Sequence, residues 1–173
     1  MKNLKKFNAK IVNFEDIGNG RKFANLVFNP IFKDGKKLTQ EFYGGKYACV
    51  RDEFRIWKNP FLRKNVQKIL ISFGGTDVSN ITEKTLLIIE TNNIKNIEFT
   101  VILGFGFKYK KKIKQKIQQL RKNNFKIILV EKSDFLAQHI RETDFAIISN
   151  PTTVFEVACM DVPILTISAN NRE

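Results

Sequence analysis

From Gln67 onward, short runs of β-branched and aromatic residues alternate with stretches of helical periodicity. The runs Lys68–Phe73 (KILISF), Glu98–Leu103 (EFTVIL), Phe125–Val130 (FKIILV), Phe145–Ser149 (FAIIS) and Pro163–Ser168 (PILTIS) predict five strands. Helices are predicted over Asn80–Glu90, Lys108–Lys122, Asp134–Glu142 and Thr152–Met160, with Ser79 or Asn80 as N-cap of the first. In the second, Ile113, Ile117 and Leu120 recur at i, i+4 and i+7, which defines one apolar face. Strands that are apolar on both sides and alternate with helices belong to a parallel sheet covered on both faces. Right-handed crossovers then give an α/β fold, a doubly wound parallel sheet of Rossmann-like type.

The first part of the chain reads differently. Lys10–Phe14 and Asn25–Phe28 predict two strands, and Asn29–Gly45 is polar and turn-rich. Tyr47–Phe54 and Arg55–Lys64, with Pro60, read as a connector. Two strands and a connector bury too little for an independent core and call for a partner layer.

Composition adds exclusions. The 173 residues are 43% hydrophobic and 27% charged, which rules out disordered and collagen-like classes. The net charge of +13 invites a polyanion partner. The densest basic cluster, Lys108, Lys110, Lys111, Lys112, Lys114, Lys116, Arg121 and Lys122, falls on the polar faces of a predicted helix. It therefore reads as a solvated surface with no dedicated nucleic-acid partner; a basic polyanion-binding module is the alternative. Cys49, Cys159 and the single His139 fit no metal spacing, so neither a metal site nor a cofactor is expected. Nothing reads as a signal peptide or a membrane span, and the expected setting is cytoplasmic with reduced thiols.

In open α/β sheets, ligands bind beyond the carboxyl ends of the strands. Gly74-Gly75-Thr76-Asp77 follows a strand there and leads into a helix. Its glycines let backbone approach an anion, and Thr76 adds a hydroxyl; a tight turn without a ligand is the alternative. A P-loop is excluded, because no Gly-Lys-Ser/Thr follows. Gly104-Phe105-Gly106 reads as a turn. Ser149-Asn150-Pro151-Thr152-Thr153, with Glu156 one turn on, carries more. Pro151 suits a first helical turn, and Thr152 and Thr153 set hydroxyls and amides at a helix N-terminus. Glu156 either complements the helix dipole or accepts hydrogen bonds from vicinal sugar hydroxyls. His139 reads as a packing residue, Phe73, Phe105 and Phe155 as core or pocket wall, and neither cysteine has a base nearby in sequence.

Ile71-Ser72-Phe73-Gly74-Gly75-Thr76-Asp77 with Asn80 resembles the opening of the C-terminal domain of the UDP-sugar hydrolases of pseudaminic acid biosynthesis. Spore-coat polysaccharide proteins of the SpsG type look similar. Tyr43-Gly44-Gly45-Lys46-Tyr47, then Arg51, Glu53 and Phe54, resembles their interdomain segment. Asp144 through Glu156, then Val162-Pro163 and Asn171, resembles a second signature. The resemblance implies a two-domain glycosyltransferase-B fold whose C-terminal lobe, related to MurG-like transferases, holds UDP or a UDP-sugar.

On that resemblance, residues 1–42 are a remnant of the N-terminal lobe, 43–66 the connector, and 67–173 a nucleotide-sugar-binding lobe that is incomplete at its C-terminal end. Gly74, Gly75, Thr76, Asn150, Thr152 and Thr153 would contact the diphosphate, Glu156 the ribose, and backbone near Glu131, Lys132 and Ser133 the uracil edge. Asn171 completes the expected set. Relatives often carry glycines where this chain has Asn150 and Pro151, and Asn-Gln where it has Asn171-Arg172. The family's catalytic histidine, on a glycine-rich loop of the N-terminal lobe, has no counterpart here, so no catalytic residue is assigned. A separately encoded N-terminal lobe is then an expected partner. The resemblance implies UDP release from a diacetamido-trideoxy-hexose nucleotide in nonulosonic acid or surface-polysaccharide biosynthesis. Glycosyl transfer and a non-catalytic fragment are the alternatives.

Overall fold

A computed structural model describes residues 9–15, 18–31, 38–58, 64–131, 133, 135–149 and 151–168, the side chain of Pro151 excepted. The chain forms two compact units, Met1–Cys49 and Val50–Glu173.

In the first unit, β1 (Val12–Phe14), β2 (Leu26–Asn29) and β3 (Glu41–Tyr43) form a parallel sheet in that order. The third strand corrects the two-strand expectation. Its signal was hidden because Glu41, an unusual strand residue, is buried there. Arg21 Nε lies 3.2 Å from the Glu41 carboxylate, which also accepts from Tyr43 Oη at 2.6 Å and from the Leu38 N–H at 2.9 Å. The bond to Glu41, together with burial, holds the Tyr43 phenol above its ordinary pKa. On the opposite side, Phe14, Phe28 and Phe42 stack across the three strands with centroids 5.4 Å apart at each step.

The second unit begins with the short helix α1 (Asp52–Ile56) and then alternates. The order is β4 (Lys68–Ser72), α2 (Ile81–Thr91), β5 (Glu98–Ile102), α3 (Lys110–Lys122), β6 (Lys126–Val130), α4 (Leu136–Arg141), β7 (Phe145–Ile148), α5 (Pro151–Cys159) and β8 (Ile164–Thr166). The sheet is wholly parallel in the order β6-β5-β4-β7-β8. Successive strands are added to one side of β4 up to β6 and to its other side from β7 on, so the doubly wound expectation holds and the β4–β7 junction is the switch point.

Two cores follow from the alternation of side chains along the strands. Ile71, Phe99, Val101 and Ile127 pack with Leu86 and Ile89 of α2 and with Ile113, Ile117 and Leu120 of α3. Leu70, Ile102, Ala146 and Ile148 pack with Phe54 of α1, Ile140 of α4 and Val157 of α5. The predicted i, i+4, i+7 face of α3 is buried throughout. Its polar faces meet acids on neighbouring elements: Lys112 pairs with Glu83 at 2.8 Å, Lys114 with Glu131 at 2.7 Å, and Lys116 with Glu90. Part of the basic cluster is thus neutralised within the fold.

Both α2 and α3 end on an asparagine in the left-handed region, Asn93 (φ 51) and Asn124 (φ 65). The following residue closes the turn, Ile94 N–H on Ile89 and Phe125 N–H on Leu120, each at 3.1 Å. These are Schellman-type ends that return the chain to the sheet. Among the described residues, no helix is long and apolar enough to cross a membrane.

Candidate nucleotide site at the switch point

At the carboxyl ends of the second unit's strands lies an open cavity of about 390 Å³. It is lined by Ser72, Gly74 and Gly75 at the end of β4, Ile102, Leu103, Gly104 and Phe105 at the end of β5, Ser133 after β6, Leu136 of α4 and Thr153 of α5. Four predicted site residues, Gly74, Gly75, Ser133 and Thr153, therefore share one wall, although up to 79 positions of sequence separate them.

The two glycine turns interlock. Gly74 has φ 73, a left-handed conformation that glycine adopts without strain. Gly104 lies so close that a Cβ on it would stand 2.4 Å from the Gly74 carbonyl oxygen and 2.4 Å from Gly75 Cα. A Cβ on Gly106 would stand 3.0 Å from Thr76 Cγ2. The Gly104-Phe105-Gly106 turn, a simple turn by sequence, thus buttresses Gly74-Gly75-Thr76. Gly75 itself has no atom within 4 Å of the place a Cβ would occupy. Phe105 stands 88% exposed at the cavity rim, whereas Phe73 is core.

The start of α2 is closed to anions. Asp77 is buried and in the left-handed region (φ 42). Its Oδ1 accepts from the Ile81 N–H and its Oδ2 from the Thr82 N–H, each at 2.8 Å. Of the two predicted N-caps, Ser79 and Asn80, the structure places Asn80 at that position, also with positive φ (52) and no side-chain cap bond. Asp77 takes the cap in its place and neutralises the positive end of the helix dipole. Sequence reading missed this, because an Asp reaching four and five residues ahead requires two left-handed residues between strand and helix.

The start of α5 is different. No acidic residue occupies its first turn. Thr153 lines the cavity, three positions before Glu156 on the same helix, while Thr152 is exposed. Glu156 is buried, and burial pushes its carboxyl above the ordinary range. Arg51 opposes that shift, with Nη2 3.5 Å from Glu156 Oε1 and Nη1 2.9 Å from Glu53 Oε1. The guanidinium also lies 4.9 Å from the centroid of the buried Phe54 ring. Arg51, assigned no role from sequence, is a direct neighbour of a predicted site residue.

Thr76 is exposed beside the turn and does not line the cavity. The Glu131 side chain is turned to Lys114 of α3. Ser133 Oγ is buried without a hydrogen-bond partner among the described residues. Asn150, Lys132 and Asn171 lie outside the described residues. His139 sits on α4 and is not a cavity-lining residue, and both cysteines are free thiols. Among the described residues, no cluster of His, Cys, Asp and Glu could hold a metal ion.

No protein-family model matches the chain. It is similar to the spore coat polysaccharide biosynthesis protein SpsG of Bacillus subtilis, with 25% identity over 169 residues, covering 92% of this chain and 49% of that protein. It is also similar to an uncharacterized protein of Methanocaldococcus jannaschii, with 28% identity over 186 residues, covering 99% of this chain and 38% of that protein. The chain thus spans half or less of the length of these curated relatives.

Proposed function

We propose that the Val50–Glu173 unit holds the UDP portion of a nucleotide sugar in polysaccharide-precursor biosynthesis. The carrying observation is that Gly75, with open space where a Cβ would stand, and Thr153 of α5 line the same cavity. Backbone N–H groups of a glycine turn and the amides of a helix N-terminus together suit a diphosphate. With α2 capped by Asp77, the anion belongs at the α5 side of the cavity. The likeness to SpsG, a spore coat polysaccharide biosynthesis protein, agrees with this class of substrate.

In the reaction we favour, water attacks the sugar's anomeric carbon, a C–O bond to the water oxygen forms as the C–O bond to the diphosphate breaks, and the water's proton passes to a base of an N-terminal lobe. Negative charge then grows on the departing UDP. Oriented amides and a helix dipole stabilise such charge as it develops, and this is the part of catalysis the unit would supply. Ser133, with its unpartnered buried hydroxyl, stands in the same wall to donate to the ligand. Water attack would be organised by residues of an N-terminal lobe.

Isothermal titration of the chain with UDP tests the binding reading. Saturable binding is expected, and no saturation at millimolar UDP would overturn it. Product analysis with a UDP-sugar then separates hydrolysis, in which the free sugar accumulates, from transfer to an added acceptor.

A further inference from the structure

We propose that Arg51 is a positioning residue for the ligand's sugar diol, holding the Glu156 carboxylate in place through a guanidinium fork anchored on Glu53. The inference rests on the reading of Glu156 as the acceptor for the ribose hydroxyls of UDP.

A carboxyl group takes two hydroxyl hydrogen bonds best when ionised, since only the carboxylate is purely an acceptor and its charge strengthens each bond. Burial works against this at Glu156, and the charge of nearby Glu53 adds to the penalty. Arg51 lies between the two acids and faces one with each terminal nitrogen, Glu53 at 2.9 Å and Glu156 at 3.5 Å. Its guanidinium plane is steadied over Phe54, itself fully buried in the core that α1 shares with α5. Glu156 is not itself a lining residue, but Thr153, which lines the cavity, stands three positions before it on the same face of α5. One face of α5 therefore leads from the cavity wall at Thr153 to Glu156, and ion pairs lead from there to Arg51 and Glu53. A lysine could carry the charge but not the fork, since one ammonium cannot face both acids in the same geometry.

The test compares UDP with 2′,3′-dideoxy-UDP by isothermal titration, using the full chain and its Arg51→Gln, Arg51→Lys, Glu156→Gln and double Arg51→Gln/Glu156→Gln variants. The wild type is expected to prefer UDP. Arg51→Gln should reduce that preference about tenfold, the size of a coupling between residues in contact. The double variant should match Glu156→Gln alone, because Arg51 acts only through that carboxylate. Undiminished preference in Arg51→Gln, or losses that multiply in the double variant, would overturn the proposal and leave UDP binding standing. A wild type that binds both nucleotides equally removes Glu156 from the diol and the proposal with it. A wild type that binds neither sinks the UDP reading as well. Thermal unfolding accompanies each titration. If Arg51→Gln no longer unfolds cooperatively, Arg51→Lys decides: reduced preference supports the fork and unchanged preference refutes it.

Discussion

Gly104 and Gly75 touch backbone to backbone, so that a methyl group on Gly104 would come within 2.4 Å of Gly75 Cα. Two turns that the sequence presents separately are packed as one structure, and both line the cavity.

Gly104→Ala should therefore destabilise the fold. The neighbours are main-chain atoms, which cannot swing aside, so the turn after β4 has to shift. Overpacking of this kind costs ~1–3 kcal/mol, measurable as a lower denaturant midpoint at unchanged slope. A midpoint equal to wild type would show that the turns separate freely.

Gly75→Ala is the contrasting case. Open space surrounds the site of the new methyl group, and Gly75 is not among the positive-φ glycines. Stability is expected to stay within about 0.5 kcal/mol of wild type, as at sites free of strain or packing. UDP affinity should fall, since the methyl group occupies the space where a phosphate would approach. Full retention of affinity would move the phosphate elsewhere.

Asp77→Ala removes both acceptors at the start of α2. The expected loss is ~1–2 kcal/mol of unfolding free energy, read from chemical denaturation. Asp77→Asn keeps one acceptor oxygen and a side chain that tolerates positive φ, so its loss should be smaller. An Asn variant as unstable as the Ala variant would mean that charge, not geometry, makes the cap.

Glu156 gives a pH signature. Its folded pKa is raised, so the native state binds more protons than the unfolded chain between the ordinary carboxylate pKa and the raised value. Stability from this group is present in full below the unfolded pKa and is lost as pH rises through the folded one. Glu156→Gln removes the titration. Its thermal midpoint relative to wild type should therefore improve as pH rises from the ordinary carboxylate range toward neutrality. A difference that does not change with pH, or that worsens, would place Glu156 in a less desolvated setting.

Much of the second unit was legible from local pattern. Lys68–Phe73 and its counterparts are apolar on both faces, and burial on both faces is the condition a central parallel strand meets. Ile113, Ile117 and Leu120 told which side of α3 is inside. The glycine turns and the threonines before Glu156 marked the end of the sheet where a ligand would sit, because backbone exposure and helix starts are local properties.

What only the tertiary structure decided depends on groups brought together from far apart in the chain. Glu41 forms a strand because Arg21, 20 residues earlier, meets its charge. Asp77 rather than Asn80 caps α2, because left-handed backbone at both residues brings the Asp77 carboxylate onto the Ile81 and Thr82 N–H groups. Arg51 reaches Glu156 across 105 positions because α1 and α5 share one core. Sequence periodicity reports the solvent each face meets, and so it determined the layers. Charge pairing, cap choice and backbone contact depend on distances that exist only after the layers have packed.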